Sequence, residues 1–187
     1  MSQKEKAILR EKILSQRKSL SSGEFQEKNR QICDRIKSWE TFCQAKTVLA
    51  YFSFRQEPDL ISLVTKEKIW GFPCCVGNDL SWHSWQPGEA LDSGKYGITE
   101  PLCQKYSIAP AKVDLIIVPT VACDRLGYRL GYGGGYYDRL LASPQWQHCP
   151  TLGVVFNFAY LDYLPREAWD IKLQYICTEF GLDEYRD

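Results

Sequence analysis

Short apolar runs separated by stretches of helical spacing dominate this chain, and that alternation leaves few architectures open to it. Residues 113–118 form the most apolar run, ended by Pro119. Residues 47–54, 68–72, 152–156 and 174–177 read as further buried strands. Residues 80–85 alternate polar and apolar positions, as an antiparallel or edge strand does. Between them lie helical patterns. Ala7, Ile8, Ile13 and Leu14 keep helical spacing within residues 3–20. Ser21-Ser22-Gly23-Glu24 is a capping-box sequence, which predicts a second helix running to about residue 37. Pro58 predicts a third helix over 59–66. Strands alternating with helices predict a mostly parallel, three-layer α/β/α sheet domain, Rossmann-like, over residues 1–187. The polar end, 182–187, is expected to fray.

Composition narrows the function classes. With 23 basic and 23 acidic residues the formal net charge is zero, so no global field draws the chain to nucleic acid or to a membrane surface. No apolar run approaches the roughly 20 residues that span a bilayer, and the charged start lacks a signal core. A cytoplasmic enzyme-like domain fits, with no nucleic-acid or membrane partner. The 8 cysteines include no C-x-x-C pair, which predicts free, mostly buried thiols rather than a metal or disulfide framework. His83 and His148 stand apart from other ligand-type residues and read as structural or surface positions.

Chemistry concentrates in residues 129–139, Arg-Leu-Gly-Tyr-Gly-Gly-Gly-Tyr-Tyr-Asp-Arg. Glycines let backbone N–H groups approach a ligand and permit positive φ. A run of such groups just before a helix makes an anion site. Residues 136–141 are expected to supply that helix's first turn. Arg129 and Arg139 add charge-assisted donors for phosphate, and Asp138 is an oxygen ligand suited to Mg²⁺. The reading is a nucleotide-phosphate cradle beside a metal; the alternative is a plain surface turn. The segment is not a Walker A loop, because no Gly-Lys-Ser/Thr follows. It is not the dinucleotide fingerprint either, since Tyr136 stands where that fingerprint has glycine.

Other candidates are weaker alone. Lys6 and Arg10 share a helix face that could clamp a triphosphate or simply face solvent. Glu57 follows the aromatics Tyr51, Phe52 and Phe54, a setting for a flat nitrogen-rich ring or for ordinary packing. Trp70, Trp82 and Trp85 read as packing residues. Asn157 and Asp170 lie near strand ends, where ligands of α/β sheets collect; Asp170 reads equally as a surface acid.

In order along the chain stand Lys6-Ala-Ile-Leu-Arg10, Gln56-Glu57, Tyr96-Gly-Ile-Thr-Glu-Pro101, Asp114-Leu-Ile-Ile-Val-Pro119, the 127–138 segment and Gly153-Val-Val-Phe156. With these the chain resembles the 5-formyltetrahydrofolate cyclo-ligase (5,10-methenyltetrahydrofolate synthetase) family from about Lys6 to Thr178. The resemblance implies ATP- and Mg²⁺-dependent conversion of 5-formyltetrahydrofolate to 5,10-methenyltetrahydrofolate, with release of ADP and phosphate. The formyl oxygen would be phosphorylated and N10 would then attack within the same molecule.

The resemblance assigns ATP contacts to Lys6, Arg10, Arg129, Leu130 and Gly131. It continues them over Tyr132, Gly133, Gly134, Gly135, Tyr136 and Tyr137. Substrate contacts fall on Phe52, Glu57 and the loop Tyr132, Gly133, Gly134, Gly135 and Tyr136. The metal falls to Asp138 and Asp170. Arg129, Lys6 and Arg10 would stabilise transferring charge as catalytic residues. Helices over 3–38 would cover the nucleotide site, and the expected state is a monomer or weak homodimer. Two other functions fit parts of the pattern: a non-catalytic folate- or nucleotide-binding protein, and a sugar-phosphate isomerase or transferase. Against the family pattern, Cys74-Cys75 replace a basic residue after Pro73, Thr120 replaces a small residue, and Trp169 stands where histidine is common.

Overall fold

The computed structural model describes residues 3–102 and 107–185. Its helices are α1 (Gln3–Lys18), α2 (Ser22–Ser38), α3 (Glu40–Gln44) and α4 (Tyr136–Ala142). The strands, in chain order, are β1 (Thr47–Leu49), β2 (Ile69–Val76), β3 (Asp79–Ser84), β4 (Leu91–Ser93), β5 (Thr99–Pro101) and β6 (Leu115–Pro119). They continue with β7 (Ala122–Asp124), β8 (Arg129–Leu130), β9 (Thr151–Val154), β10 (Tyr160–Leu161), β11 (Tyr175–Cys177) and β12 (Leu182–Glu184).

The main sheet runs β12-β11-β9-β6-β1-β2-β3. Pairing is parallel from β11 through β2, and each outer strand, β12 and β3, is antiparallel to its neighbour. Successive side chains point to opposite faces of a strand, and the burial follows. Val48, Leu115 and Ile117 pack with Ile32 and Ile36 of α2 and Phe42 of α3. Leu49, Ile116 and Val118 pack on the other face with Ile13 of α1 and Leu140 and Leu141 of α4. Both faces are covered, as the near-continuous apolar runs require. This is the expected three-layer α/β arrangement. The smaller groupings β10-β7-β8 and β4-β5 flank it.

α2 starts as the sequence predicts. Ser21 accepts from the Glu24 N–H, and the Glu24 carboxylate accepts from the Ser21 N–H at 2.9 Å. Three expectations are corrected. β1 ends at Leu49, and residues 51–54 leave the sheet, so the aromatic run read as strand forms a wall instead. The helix over 59–66 shrinks to one 3₁₀ turn, Ile61–Leu63. Asn29 explains it: its side chain accepts from the Asp59 N–H at 2.6 Å and donates to the Asp59 carbonyl at 2.9 Å. With that backbone held by α2, and the Asp59 carboxylate accepting from the Ile61 N–H at 3.0 Å, helical bonding cannot propagate. The tail expected to fray contains β12, whose Leu182 pairs with Cys177 and packs on the core; Arg186 and Asp187 lie outside the described residues.

Cysteines depart from the all-thiol expectation at one place. Cys33, Cys43, Cys75, Cys123, Cys149 and Cys177 are free, but Cys74 is disulfide-bonded. Spacing alone gives no such signal, because disulfide geometry depends on how Cβ atoms meet in the fold. Cys103 lies outside the described residues. No described helix is long and apolar enough to cross a membrane.

Candidate active site

One cavity of about 550 Å³ opens where the carboxyl ends of β1 and β6 face α1 and the glycine loop. Its walls include Lys6, Arg10, Phe52, Glu57, Arg129, Asp138 and Asp170, together with the whole run from Leu130 to Tyr137. The residues that the resemblance assigned to ATP, substrate and metal all line this one cavity. α1 contributes Gln3, Lys6 and Arg10, while α2 packs on the opposite face of the sheet. Asn157 and Arg139 do not reach the cavity. The Asn157 N–H donates to the buried Glu179 carboxylate at 2.7 Å, and Arg139 braces the loop through the Asn78 carbonyl at 2.5 Å. Trp70, Trp82 and Trp85 are packing residues as expected, at 1%, 2% and 6% exposure.

The glycine loop keeps its shape through positive φ at Gly133 (100°) and Gly135 (68°). The φ of Gly135 is one that L side chains rarely adopt, so a side chain there would be strained. Gly135 caps α4 with no side chain satisfying the first turn. The Arg10 Nε donates to the Gly131 carbonyl at 2.6 Å, tying α1 to the loop.

Two ion pairs stand at this end. Lys6 Nζ lies 2.6 Å from Asp170 Oδ2, and Arg129 Nη2 lies 2.5 Å from Asp138 Oδ1. Arg10 sits in the field of both acids: burial lowers its pKa, and Asp170 and then Asp138 work against that. Lys6, Arg10 and Arg129 thus stand with Asp138 and Asp170 at this end of the cavity. Each carboxylate has only one oxygen engaged in the described hydrogen bonds: Asp138 through Arg129, Asp170 through Lys6 and the Glu167 N–H. No cluster of three or more His, Cys, Asp or Glu side chains suited to a metal occurs among the described residues. The donor set fits an ion such as Mg²⁺ that keeps water, takes one or two carboxylates and is completed by phosphate oxygens.

The other end is different in kind. Glu57 is 2% exposed. Its Oε2 accepts from the Phe54 N–H at 3.1 Å, and its Oε1 has no partner. Burial pushes its carboxyl up to about 7, while Arg17, the Phe54 N–H and the Tyr132 hydroxyl pull the other way. Aromatic rings surround it. Phe52 stacks on Phe72 with centroids 4.2 Å apart, and Phe54 meets Tyr132 edge-on at 5.8 Å. The Tyr137 hydroxyl and Arg129 Nε are also buried without partners. Unpartnered buried polar atoms cost about 1–3 kcal/mol each, and these three belong to residues that line the cavity, where a ligand's polar atoms would meet them.

A family model for the 5-formyltetrahydrofolate cyclo-ligase family matches residues 2–179. The chain belongs to that family. A curated relative from Escherichia coli K12, named 5-formyltetrahydrofolate cyclo-ligase, is 32% identical over 179 residues, covering 89% of this chain and 96% of its own. A relative of the same name from Mycolicibacterium smegmatis is 28% identical and covers 95% of both chains. Among solved structures, a 5,10-methenyltetrahydrofolate synthetase of Aquifex aeolicus superposes with a TM-score of 0.85 at 37% identity, covering 97% of this chain and 93% of that one. A Mycoplasma pneumoniae synthetase shares the fold at a TM-score of 0.73 and 21% identity.

The cavity also has lining residues that the sequence did not assign to a site. Arg55, Cys75, Glu100 and Trp169 line the cavity. Glu100 lies in the 96–101 motif, and its Oε1 accepts from the Cys75 N–H at 3.1 Å. Burial, and then Glu100, raise the Cys75 thiol. Arg17 carried a readable signal: residues 6, 10, 13 and 17 follow the i, i+4, i+7, i+11 stripe of one helix face.

Proposed function

We propose that the chain converts 5-formyltetrahydrofolate to 5,10-methenyltetrahydrofolate, with ATP cleaved to ADP and phosphate. The single observation that carries this reading is the cavity's division. A glycine loop with three cations stands at one end, and a buried carboxylate with an unpartnered oxygen among aromatic rings stands at the other. The first end suits a polyphosphate. The second suits a flat heterocycle whose N–H edge donates to Glu57.

The formyl carbon of an amide is a poor electrophile, and its oxygen is a poor leaving group. Phosphorylating that oxygen improves both. Attack by N10 then closes a five-membered ring within one molecule, which benefits from a high effective concentration. The nitrogen proton is lost and phosphate departs, leaving the methenyl cation. The residues' work is alignment and charge neutralisation, as in other phosphoryl transfers. Lys6, Arg10 and Arg129 hold phosphate oxygens, and the loop from Leu130 to Tyr137 supplies close backbone contact. Phe52, Glu57 and the Tyr132–Tyr136 face of the loop hold the folate. Asp138 and Asp170 would hold Mg²⁺, which when bound supplies charge neutralisation across the phosphates. Lys6 and Arg129 would exchange their carboxylate partners for phosphate as the nucleotide enters.

The test mixes the protein with 5-formyltetrahydrofolate and Mg²⁺, with and without ATP, and follows the near-ultraviolet absorbance of the methenyl product. ATP-dependent growth that Asp138→Ala abolishes is the expected result. Thermal stabilisation by both ligands without product would instead mean a binding protein of the same fold.

A further inference from the structure

Arg17 is 0% exposed, and its guanidinium bonds two segments. Nη1 donates to the Tyr132 hydroxyl at 2.9 Å. Nη2 donates to the carbonyls of Thr120 at 2.9 Å and Val121 at 3.2 Å, just past the end of β6. The Tyr132 hydroxyl in turn reaches the Phe54 carbonyl at 3.4 Å, and the Phe54 N–H donates to Glu57. The bonds thus run from α1, through the glycine loop, to the carboxylate at the far end of the cavity. The same helix carries Lys6 and Arg10 at the phosphate end. A fully buried guanidinium is costly unless its charge is answered. No carboxylate forms an ion pair with Arg17 among the described residues, and the acid whose field it feels is Glu57.

We propose that Arg17 is a positioning residue that holds Tyr132 and Glu57 in register with the glycine loop, so that the folate's reacting edge faces the bound phosphate. The proposal rests on the cyclo-ligase reading. Arg17 does not line the cavity, so it acts through Tyr132 and Glu57 rather than by touching substrate. The other titratable groups in the field of the Glu57 carboxylate are Tyr51 beyond β1, Tyr132 on the loop and Tyr137 on α4. All three phenols are pushed above their ordinary range, first by burial. Arg17 is therefore the charge that favours the ionised, accepting form of Glu57 against the burial that raises its carboxyl.

The experiment compares the wild type with Arg17→Gln and Arg17→Lys in steady-state kinetics over pH 5.5–9, with nucleotide affinity measured separately by calorimetry. Arg17→Gln should lower kcat/KM for 5-formyltetrahydrofolate roughly 10- to 100-fold, with nucleotide affinity changed less than about threefold. Its acid limb should move to higher pH, and Arg17→Lys should bring that limb part of the way back. A general structural role predicts a lower melting temperature with both substrates weakened alike and the acid limb unmoved; that pattern overturns the proposal. If Arg17→Gln does not fold, Arg17→Lys and Tyr132→Phe are combined in a double-mutant cycle on folate affinity. Non-additive effects mean one shared link, and additive effects sink it. No turnover by the wild type would refute the cyclo-ligase reading itself. Turnover with unmoved variants refutes only the role of Arg17.

Discussion

Asp170 and Glu57 are both acids in the same cavity, yet the protein treats them oppositely. Asp170 has Lys6 at 2.6 Å and the Glu167 N–H at 2.8 Å, and Asp138 has Arg129. Glu57 has one backbone N–H and an oxygen left alone. The backbone shows the same contrast. The glycine loop takes its positive φ values at Gly133 and Gly135, where they cost little, while the turn before Glu57 takes them at Arg55 (49°) and Gln56 (58°). The phosphate end thus has both of its acids already ion-paired, and under the proposed function Lys6 and Arg129 exchange those partners for phosphate. The end proposed for folate holds an unpartnered carboxylate oxygen and a strained turn, which a ligand would complete.

The contrast breaks most decisively at Arg129. Its side chain is 4% exposed against 8% for Lys6, and its Nε is unpartnered, so water is poorly placed to replace it. Arg129→Ala should lower kcat on the order of a thousandfold, the scale for removing a preorganised charge donor. A small loss in steady-state turnover would mean that Lys6 and Arg10 suffice.

Glu57→Gln comes next and has two signatures. Its folded-state carboxyl lies near 7 against an ordinary 4.5. A raised carboxyl means the folded state holds a proton that the unfolded chain releases. Stability is therefore fully present below about pH 4.5, falls as pH rises toward 7, and stays low above it. The amide removes that loss, so the variant should be more stable above pH 7, on the order of 3 kcal/mol, by urea unfolding. Its kcat/KM for 5-formyltetrahydrofolate should drop roughly a hundredfold. A variant both less stable and still active would show that Glu57 is a packing residue.

Lys6→Ala should have a milder effect, raising the apparent KM for ATP about tenfold while leaving KM for the folate nearly unchanged, since the side chain already exchanges one partner for another. A matching rise in both constants would erase the distinction between the two ends.

The sequence made the phosphate end easier to read than the folate end, for a physical reason. Gly133, Gly135, Arg129 and Asp138 lie within one short segment, so their chemistry is local and visible. Glu57 gains its meaning from Arg17, Tyr132 and Tyr137, which are distant in sequence and meet only after folding. The sheet was legible because its buried strands are apolar runs. β1 was overextended because Tyr51, Phe52 and Phe54 have strand composition but serve as cavity wall. The helix over 59–66 was misread because the capture of Asp59 by Asn29 is a tertiary event.

The smallest effect expected is at Gln56, and it bears most directly on the claim of strain. Gln56 is exposed with φ of 58°, beside Arg55 at 49°. A left-handed residue with a side chain carries about 1–2 kcal/mol of strain, and two in succession persist only where neighbours hold them. Here the Glu57 N–H donates to the Phe54 carbonyl at 3.1 Å, and the Ser53 hydroxyl donates to the Glu57 carbonyl at 2.7 Å. Those bonds close the turn and aim the Glu57 carboxylate inward. Glycine at 56 removes the Cβ clash but gives the unfolded chain more freedom, so Gln56→Gly should stabilise by only about 0.5–1 kcal/mol. Because the turn's bonds come from Ser53, Phe54 and Glu57, catalysis should be nearly unaffected. Denaturant unfolding and KM for the folate, measured on the same preparation, check both halves. A stability gain with folate KM unchanged locates strain in the turn and its function in the bonds. A rise in folate KM would mean that the Gln56 side chain, and not the path of the backbone, helps to hold the ligand.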